Sequence, residues 1–331
     1  MPRTQPLLSR REIFALIRED LARVEREIRT DSISSVDAIT AIGQYLHGSG
    51  GKRLRPALLL LSARACGYQG DLAVRLGAVV ELIHTATLVH DDVIDSADTR
   101  RGRPSTNSRW GNQVSVLAGD WLYMQAFTLS LRLRDFHILD LLTNLTQMMV
   151  EGELLQLDYI GHMNLTEDDY FELVNRKTAC LFSVCARLGS VVAEASSEIE
   201  ARLGDYGWNL GMAFQLVDDI LDFTSSATKL GKPVGNDLGE GKVTLPVILA
   251  LESAIPEERV LVETVLRERG YRSVPLQAVL ALLEKRNGIE RARRQALAFA
   301  EKARQHIAEL PESPYKGALH SITELVVERE S

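Results

Sequence analysis

Two acidic triplets are the residues best placed by type and spacing to do chemistry. The run His84-Thr-Ala-Thr-Leu-Val-His-Asp91-Asp92-Val-Ile-Asp95 carries the first, and Gln215-Leu-Val-Asp218-Asp219-Ile-Leu-Asp222 the second. Positions four apart share a helix face, so Asp91 and Asp95 project together, with His84 seven residues earlier on the same side. Asp218 and Asp222 repeat that geometry. Leu82, Ile83, Leu88 and Val89 precede one triplet; Met212, Phe214, Leu216 and Val217 precede the other. Charge in apolar surroundings is costly unless a cation pairs with it. A local cap or salt-bridge patch would account for one triplet alone. Two copies point instead to carboxylate ligands for Mg²⁺, which completes its shell with substrate phosphates and water. Two acidic faces looking at each other across a cavity would hold a diphosphate through bridging Mg²⁺.

A diphosphate site also needs cations and backbone donors. Gly48-Ser-Gly50-Gly51-Lys52-Arg53-Leu54-Arg55-Pro56 supplies both. Its glycines let the backbone approach a phosphate, and the helix start that follows adds a favourable dipole. Lys52 offers a point charge and Arg55 a bidentate fork. Arg100, Arg101 and Arg103 follow the first triplet, and Lys177-Thr178 and the lysines of residues 224–242 complete the set. A solvated charge run suits Arg103 better than Arg100 and Arg101.

The elements that must carry these groups are almost all helical. Ile13, Phe14, Ile17, Leu21, Val24 and Ile28 recur at three- and four-residue intervals and predict a helix over 11–29. Pro56 suits the first position of a helix running to Cys66, with Gly67 as its stop. Further helical patterns cover 72–97, 111–134, 136–158, 167–195, 198–223, 243–252, 257–269, 274–285 and 288–309. Thr166 and Asp169 match a capping box. Sustained period-two alternation is missing, so the expectation is a single all-α domain over residues 1–331. Residues 224–242, with Gly231, Gly235, Gly239 and Gly241 beside Lys229, Lys232 and Lys242, read as one long irregular loop of the kind that serves function.

Bulk properties narrow the function classes. The chain has 331 residues, 45% hydrophobic and 25% charged, an ordinary soluble composition. A net charge of −7 argues against non-specific nucleic-acid binding. Cys66, Cys180 and Cys185 have no metal-ligand spacing and read as reduced thiols of a cytoplasmic protein. The N-terminal run lacks the apolar core of a signal peptide. The most apolar stretch, Leu76 to Val89, is interrupted by Glu81 and His84 and reads as too short to span a bilayer.

In this order along nearly the whole chain, the motifs resemble those of the trans-type isoprenyl diphosphate synthases, the polyprenyl synthetase family. They are Gly50-Gly51-Lys52-Arg53-Leu54-Arg55-Pro56, Asp91-Asp92-x-x-Asp95 with Arg100-Arg101, Lys177-Thr178, Gln215 with Asp218-Asp219-x-x-Asp222, Leu230-Gly231-Lys232 and Gly241-Lys242. The resemblance implies an all-helical bundle around a deep central cavity, the isoprenoid synthase type I fold, usually a homodimer. It implies that Lys52, Arg55, His84 and Arg101 bind isopentenyl diphosphate. Asp91, Asp95 and Asp218 would ligate Mg²⁺, two or three ions bridging the allylic diphosphate, with Asp92, Asp219 and Asp222 in support. Arg100, Lys177, Thr178, Gln215, Lys232 and Lys242 would hold the allylic diphosphate, and residues 224–242 would act as a lid. The reaction would be successive head-to-tail condensation of isopentenyl diphosphate onto an allylic diphosphate, the departing diphosphate taking the proton.

Product length in this family is set one or two turns below the first aspartates. Thr87 and Ala86 are small where short-chain enzymes carry an aromatic residue, and Ile83 lies one turn lower. Tyr123, Met124, Phe127 and Leu155 are deeper candidates for a floor, although ordinary core packing would also account for Phe127. The run from His84 to Asp92 resembles octaprenyl and other long-chain synthases of bacteria, so the expected product is C30 to C50, for a quinone side chain. Geranylgeranyl (C20) synthesis and the catalytic half of a heteromeric synthase are the alternatives. A terpene cyclase would carry Asn and Ser or Thr with Glu in its second metal motif and would lack the Gly-Gly-Lys-x-x-Arg-Pro segment. No integral membrane segment is expected, with loose membrane association arising only through the product. His47, His137, His162, His306 and His320 show no ligand spacing, and His90 reads as a core histidine.

Overall fold

Apolar spacing of three and four residues becomes helix almost everywhere it occurs. The structure, a computed structural model, describes residues 7–48, 51–100, 102–225 and 234–329. Within them the order is α1 (Arg10–Leu16), α2 (Arg18–Asp31), α3 (Asp37–Gly48), α4 (Leu54–Ala65), α5 (Leu72–Ile94), the strands β1 (Thr99–Arg100) and β2 (Arg103–Pro104), then α6 (Thr106–Trp110), α7 (Asn112–Leu131) and α8 (Phe136–Tyr159). There follow α9 (Glu167–Val174), a π-helical turn (Asn175–Ala179), α10 (Cys180–Val192) and α11 (Ser197–Thr224). The remainder is α12 (Asn236–Gly239), α13 (Leu245–Glu252), α14 (Pro256–Glu268), α15 (Leu276–Lys285), α16 (Gly288–His306) and α17 (Pro314–Val327).

The chain forms two compact units. The first comprises Met1–Thr146, Val184–Gly204 and Glu309–Ser321; the second Gln147–Ser183, Asp205–Ala308 and Ile322–Ser331. In the first unit α5 packs on α2, α4 and α7. Val24, Ile28, Leu58 to Leu61, Leu82 and Ile83 are all buried there. Gly119 of α7 permits the closest of these approaches, because a Cβ there would lie 2.2 Å from His90 Nε2. The second unit has its own apolar cluster, which includes Tyr170, Met212, Leu216, Val247, Val262, Leu283 and Ala296.

Local departures from the expected elements have physical reasons. The helix expected over 11–29 is broken at Ile17, whose backbone (φ −124°, ψ 19°) is not helical. Ile13, Ile17, Val24 and Ile28 are nonetheless all buried, so the periodicity reports the buried face rather than backbone continuity. The helix before Cys66 starts at Leu54, two residues before Pro56. Proline is tolerated anywhere in the first turn, where its missing N–H is not needed. The Thr166–Asp169 capping box forms, each side chain bonding the other's backbone N–H. The apolar stretch around Leu76 to Val89 belongs to a 23-residue helix, which ends three residues short of the pattern expected over 72–97. Helix α5 is long and apolar enough to cross a membrane by length and composition, but 67% of its most apolar window is buried inside the fold, as in a core helix.

Candidate active site

Both aspartate triplets sit where a helix is least able to tolerate them. Asp91 and Asp92 fall in the last turn of α5 and Asp95 caps its C-terminus; Asp218, Asp219 and Asp222 occupy the last two turns of α11. Neither helix has a basic residue in its last turn. A helix C-terminus carries roughly −0.5 charge, so carboxylates there repel the dipole and one another. A bound cation removes that cost.

Within each triplet the middle aspartate is taken up by the protein. Asp92 is buried and accepts from Arg100 Nε at 2.6 Å. Burial raises its carboxyl above the usual range, opposed by the Arg100 charge. Asp219 is buried, accepting from Tyr170 Oη at 2.7 Å and Gln215 Nε2 at 2.8 Å. Burial first, then the nearby Asp237, pushes Asp219 up to about 8. By contrast Asp95 is exposed and Asp91 half-buried, while the Asp218 side chain is 52% exposed, with Arg329 at 3.8 Å. Asp222 is fully buried. Its Oδ2 accepts from the Asp237 N–H at 3.2 Å and its carbonyl from the Gly235 N–H at 2.7 Å.

The basic residues divide between the units. In the first, Arg55 Nη1 lies 3.1 Å from His84 Nε2. A guanidinium only donates, so His84 accepts at Nε2 and carries its proton on Nδ1. Two residues assigned to isopentenyl diphosphate are thus brought together, while Lys52 is exposed and Arg101 lies outside the described residues. Arg53, between them in sequence, does something else. Its backbone is left-handed (φ 49°) at the N-cap of α4, and its guanidinium binds Glu25 of α2 and Glu81 of α5. Beside it a cleft enclosing about 580 Å³ of empty space, out to its open mouth, is lined in part by His47, Arg53, Glu81, Asp92 and Arg100.

In the second unit Lys177 and Thr178 lie in the π-helical turn, whose extra residue shows in the Cys180 N–H bonding back to the Asn175 carbonyl. Such turns often mark functional positions. Lys177 Nζ binds Gln156 Oε1 at 3.0 Å and Glu153 at 2.6 Å. Gly152 permits this approach of α8, since a Cβ there would lie 2.9 Å from the Arg176 Cβ. Thr178 Oγ1 donates to Gln215 Oε1 at 2.9 Å. Lys242 pairs with Glu240 at 3.0 Å, and Lys232 lies outside the described residues. Of the expected loop 224–242, residues 226–233 are outside the description; α12 follows, docked through Tyr271 Oη on the Gly235 carbonyl at 2.6 Å.

The residues expected to set product length differ in exposure. Ile83 and Ala86 have no accessible surface. Thr87, Tyr123, Phe127 and Leu155 are half-buried, and Met124 is 60% exposed. Thr87 Oγ1 donates to the His84 carbonyl at 2.7 Å.

Among the described residues, no three His, Cys, Asp or Glu side chains converge tightly enough to cage a metal. Sequence reasoning missed Arg53's structural role and all of Tyr170's. The signal for the first was Glu81, an acid inside an otherwise apolar helix.

A polyprenyl synthetase family model matches residues 36–283. Octaprenyl diphosphate synthase of Escherichia coli (strain K12) is 38% identical over 319 residues, covering 96% of this chain and 98% of that protein. An all-trans-nonaprenyl-diphosphate synthase (geranyl-diphosphate specific) of Rhodobacter capsulatus is 37% identical, covering 97% and 98%. Among solved structures, a polyprenyl synthase from Caulobacter crescentus CB15 complexed with calcium and isoprenyl diphosphate superposes with a TM-score of 0.93 at 35% identity, covering 99% and 100%.

Proposed function

The chain belongs to the polyprenyl synthetase family of trans-prenyltransferases, and from that premise we propose that it is a Mg²⁺-dependent synthase of C30 to C50 polyprenyl diphosphates. In this reading residues 1–331 act as one polyprenyl synthetase domain, in a homodimer, on isopentenyl diphosphate and an allylic diphosphate. The observation that carries it is the shared design of the two triplets. Each ends a long helix without a basic residue in its last turn, and each has a buried, hydrogen-bonded middle aspartate beside a carboxylate with exposed surface. The length assignment rests on the small, half-buried side chain at Thr87 and on the octaprenyl and nonaprenyl relatives.

Asp91, Asp95 and Asp218 would hold the Mg²⁺, with Asp92, Asp219 and Asp222 behind them. Bound there, Mg²⁺ supplies positive charge against the negative charge that grows on the departing diphosphate. Lys177, Thr178, Arg100, Gln215, Lys232 and Lys242 bind the same diphosphate. Lys52, Arg55, His84 and Arg101 bind isopentenyl diphosphate and orient its double bond. The C–O bond of the allylic substrate breaks, the isopentenyl π electrons form the new C–C bond, and the proton lost goes to the released diphosphate. The apolar helix faces around the triplets exclude water that would quench the allylic cation.

The test is a product assay with Mg²⁺, farnesyl diphosphate and labelled isopentenyl diphosphate. A ladder ending between C30 and C50 is expected. Termination at C20 overturns the length assignment, and no incorporation by the purified chain overturns its action as a homodimer.

A further inference from the structure

One hydrogen-bonded chain links the second aspartate triplet to the Lys177–Thr178 turn. It runs from Tyr170 Oη to Asp219 (2.7 Å), from Gln215 Nε2 to Asp219 (2.8 Å) and from Thr178 Oγ1 to Gln215 Oε1 (2.9 Å). Tyr170 Oη donates to one Asp219 oxygen and Gln215 Nε2 to the other, which leaves the Gln215 carbonyl for the Thr178 hydroxyl. Three of the four side chains, those of Tyr170, Asp219 and Thr178, are buried. Apolar packing against Met212, Leu216 and their neighbours accounts for the Tyr170 ring. It does not account for a hydroxyl carried into the core and ending on a carboxylate.

We propose that Tyr170 is a positioning residue for the second aspartate triplet. The proposal rests on the reading above in which Asp218 is a metal ligand. By gripping Asp219, Tyr170 fixes the orientation of the last two turns of α11, where Asp218 carries its carboxylate outward. Through Gln215 and Thr178 the same grip reaches the π-helical turn and Lys177, one residue before Thr178. Without the hydroxyl Asp219 keeps Gln215 as its donor and turns with it, so the triplet and the lysine lose their common setting.

The variant is Tyr170→Phe, which keeps the ring and its volume. Three quantities are read: the Mn²⁺ concentration that half-saturates the chain in the presence of inorganic diphosphate, measured by calorimetry; the Mg²⁺ concentration for half-maximal velocity; and the KM for isopentenyl diphosphate. Loss of a hydrogen-bond partner behind a metal site typically costs about 10–100-fold in affinity. With Gln215 still in place the expected rise in both metal midpoints is about tenfold, with KM for isopentenyl diphosphate unchanged. Metal midpoints at the wild-type value, with only a lower Tm, overturn the proposal. Thr178→Val cuts the far end of the same chain, so its effect and that of Tyr170→Phe should combine to less than their product. Independent effects overturn the continuous chain. Should the wild type bind Mn²⁺ and diphosphate yet transfer no prenyl group, the function reading falls while the Mn²⁺ midpoint still decides the role of Tyr170. A wild type that binds neither overturns both.

Discussion

Arg53→Met tests how the turn before α4, proposed to bind isopentenyl diphosphate, is held. The Arg53 guanidinium binds Glu25 and Glu81, and the side chains are 14%, 30% and 8% exposed respectively. Methionine keeps most of the stem's packing but removes the charge that these two carboxylates share across α2, α4 and α5. Breaking a fully buried pair by deleting one partner costs about 3–5 kcal/mol, because the other charge is left buried. Glu81 meets that description, whereas Glu25 is partly solvated and recovers much of its hydration. The expected cost is therefore about 3 kcal/mol, a fall in Tm of roughly 4 °C for a chain of this length. Arg53 also holds a left-handed backbone between Lys52 and Arg55, so the KM for isopentenyl diphosphate should rise several-fold while that for the allylic substrate stays put. Calorimetric melting and steady-state kinetics read both effects. Adding Glu81→Gln removes the stranded charge and should restore about half of the lost stability. A loss under 1 kcal/mol in Arg53→Met, or no recovery in the double variant, refutes the argument.

Asp91→Ala and Asp218→Ala should each lower turnover on the order of a thousandfold, the loss seen when one fixed electrostatic group is taken from a developing charge. Their Tm should hold within a few degrees, and near-normal activity in either sinks the metal assignment. Thr87→Phe should shorten the product by at least one isoprene unit when extracted products are sized, whereas an unchanged ladder means that the tail runs elsewhere. Ala86→Phe, at a position without accessible surface, overpacks instead and should cost roughly 1–3 kcal/mol. Burial, and then the Arg53 charge, pushes His47 down to about 4, so the fold keeps its ring neutral while the unfolded chain protonates it below about 6.5. Stability should therefore fall as pH drops from about 6.5 toward 4. His47→Gln removes that part of the slope, and parallel Tm–pH curves for the two proteins refute it.

Long amphipathic or apolar helices were legible because their spacing is set by the face they bury. The pattern over 72–97 becomes α5 at Leu72–Ile94, and that over 198–223 becomes α11 at Ser197–Thr224. What escaped the sequence is local. Helix α3 carries Gly43 against Ser32, where a Cβ would lie 2.9 Å from the serine Cβ; a glycine there lowers helix propensity, and the close packing outweighs it. The Arg100–Arg103 ribbon pairs only two residues per strand, too few for alternation to show. The π-helical turn at Asn175–Ala179 leaves the apolar pattern of 167–195 almost undisturbed, since it inserts one residue into a helix that continues on both sides.

The site divides along the same line. Spacing identifies the aspartates because carboxylates repeated every four residues in apolar helical sequence are costly unless a cation meets them. It cannot say which carboxylate faces the solvent, because that depends on partners outside the triplets: Arg100 for Asp92, and Tyr170, 49 residues away, for Asp219. The same holds for the cations. Arg53 and Arg55 stand two residues apart and look alike in the sequence, yet one is committed to Glu25 and Glu81 and the other meets His84. Arg53 is itself the left-handed N-cap of α4 while Arg55 lies in its first turn, and the two side chains reach different partners. The consequence can be measured. Arg55→Lys should cost affinity for isopentenyl diphosphate with little change in Tm, because a lysine lacks the bidentate fork but keeps the charge. Arg53→Lys should instead lower Tm, since one ammonium cannot reach two carboxylates on different helices. A fall in Tm with Arg55→Lys as large as that with Arg53→Lys would make the division of labour between the two arginines wrong.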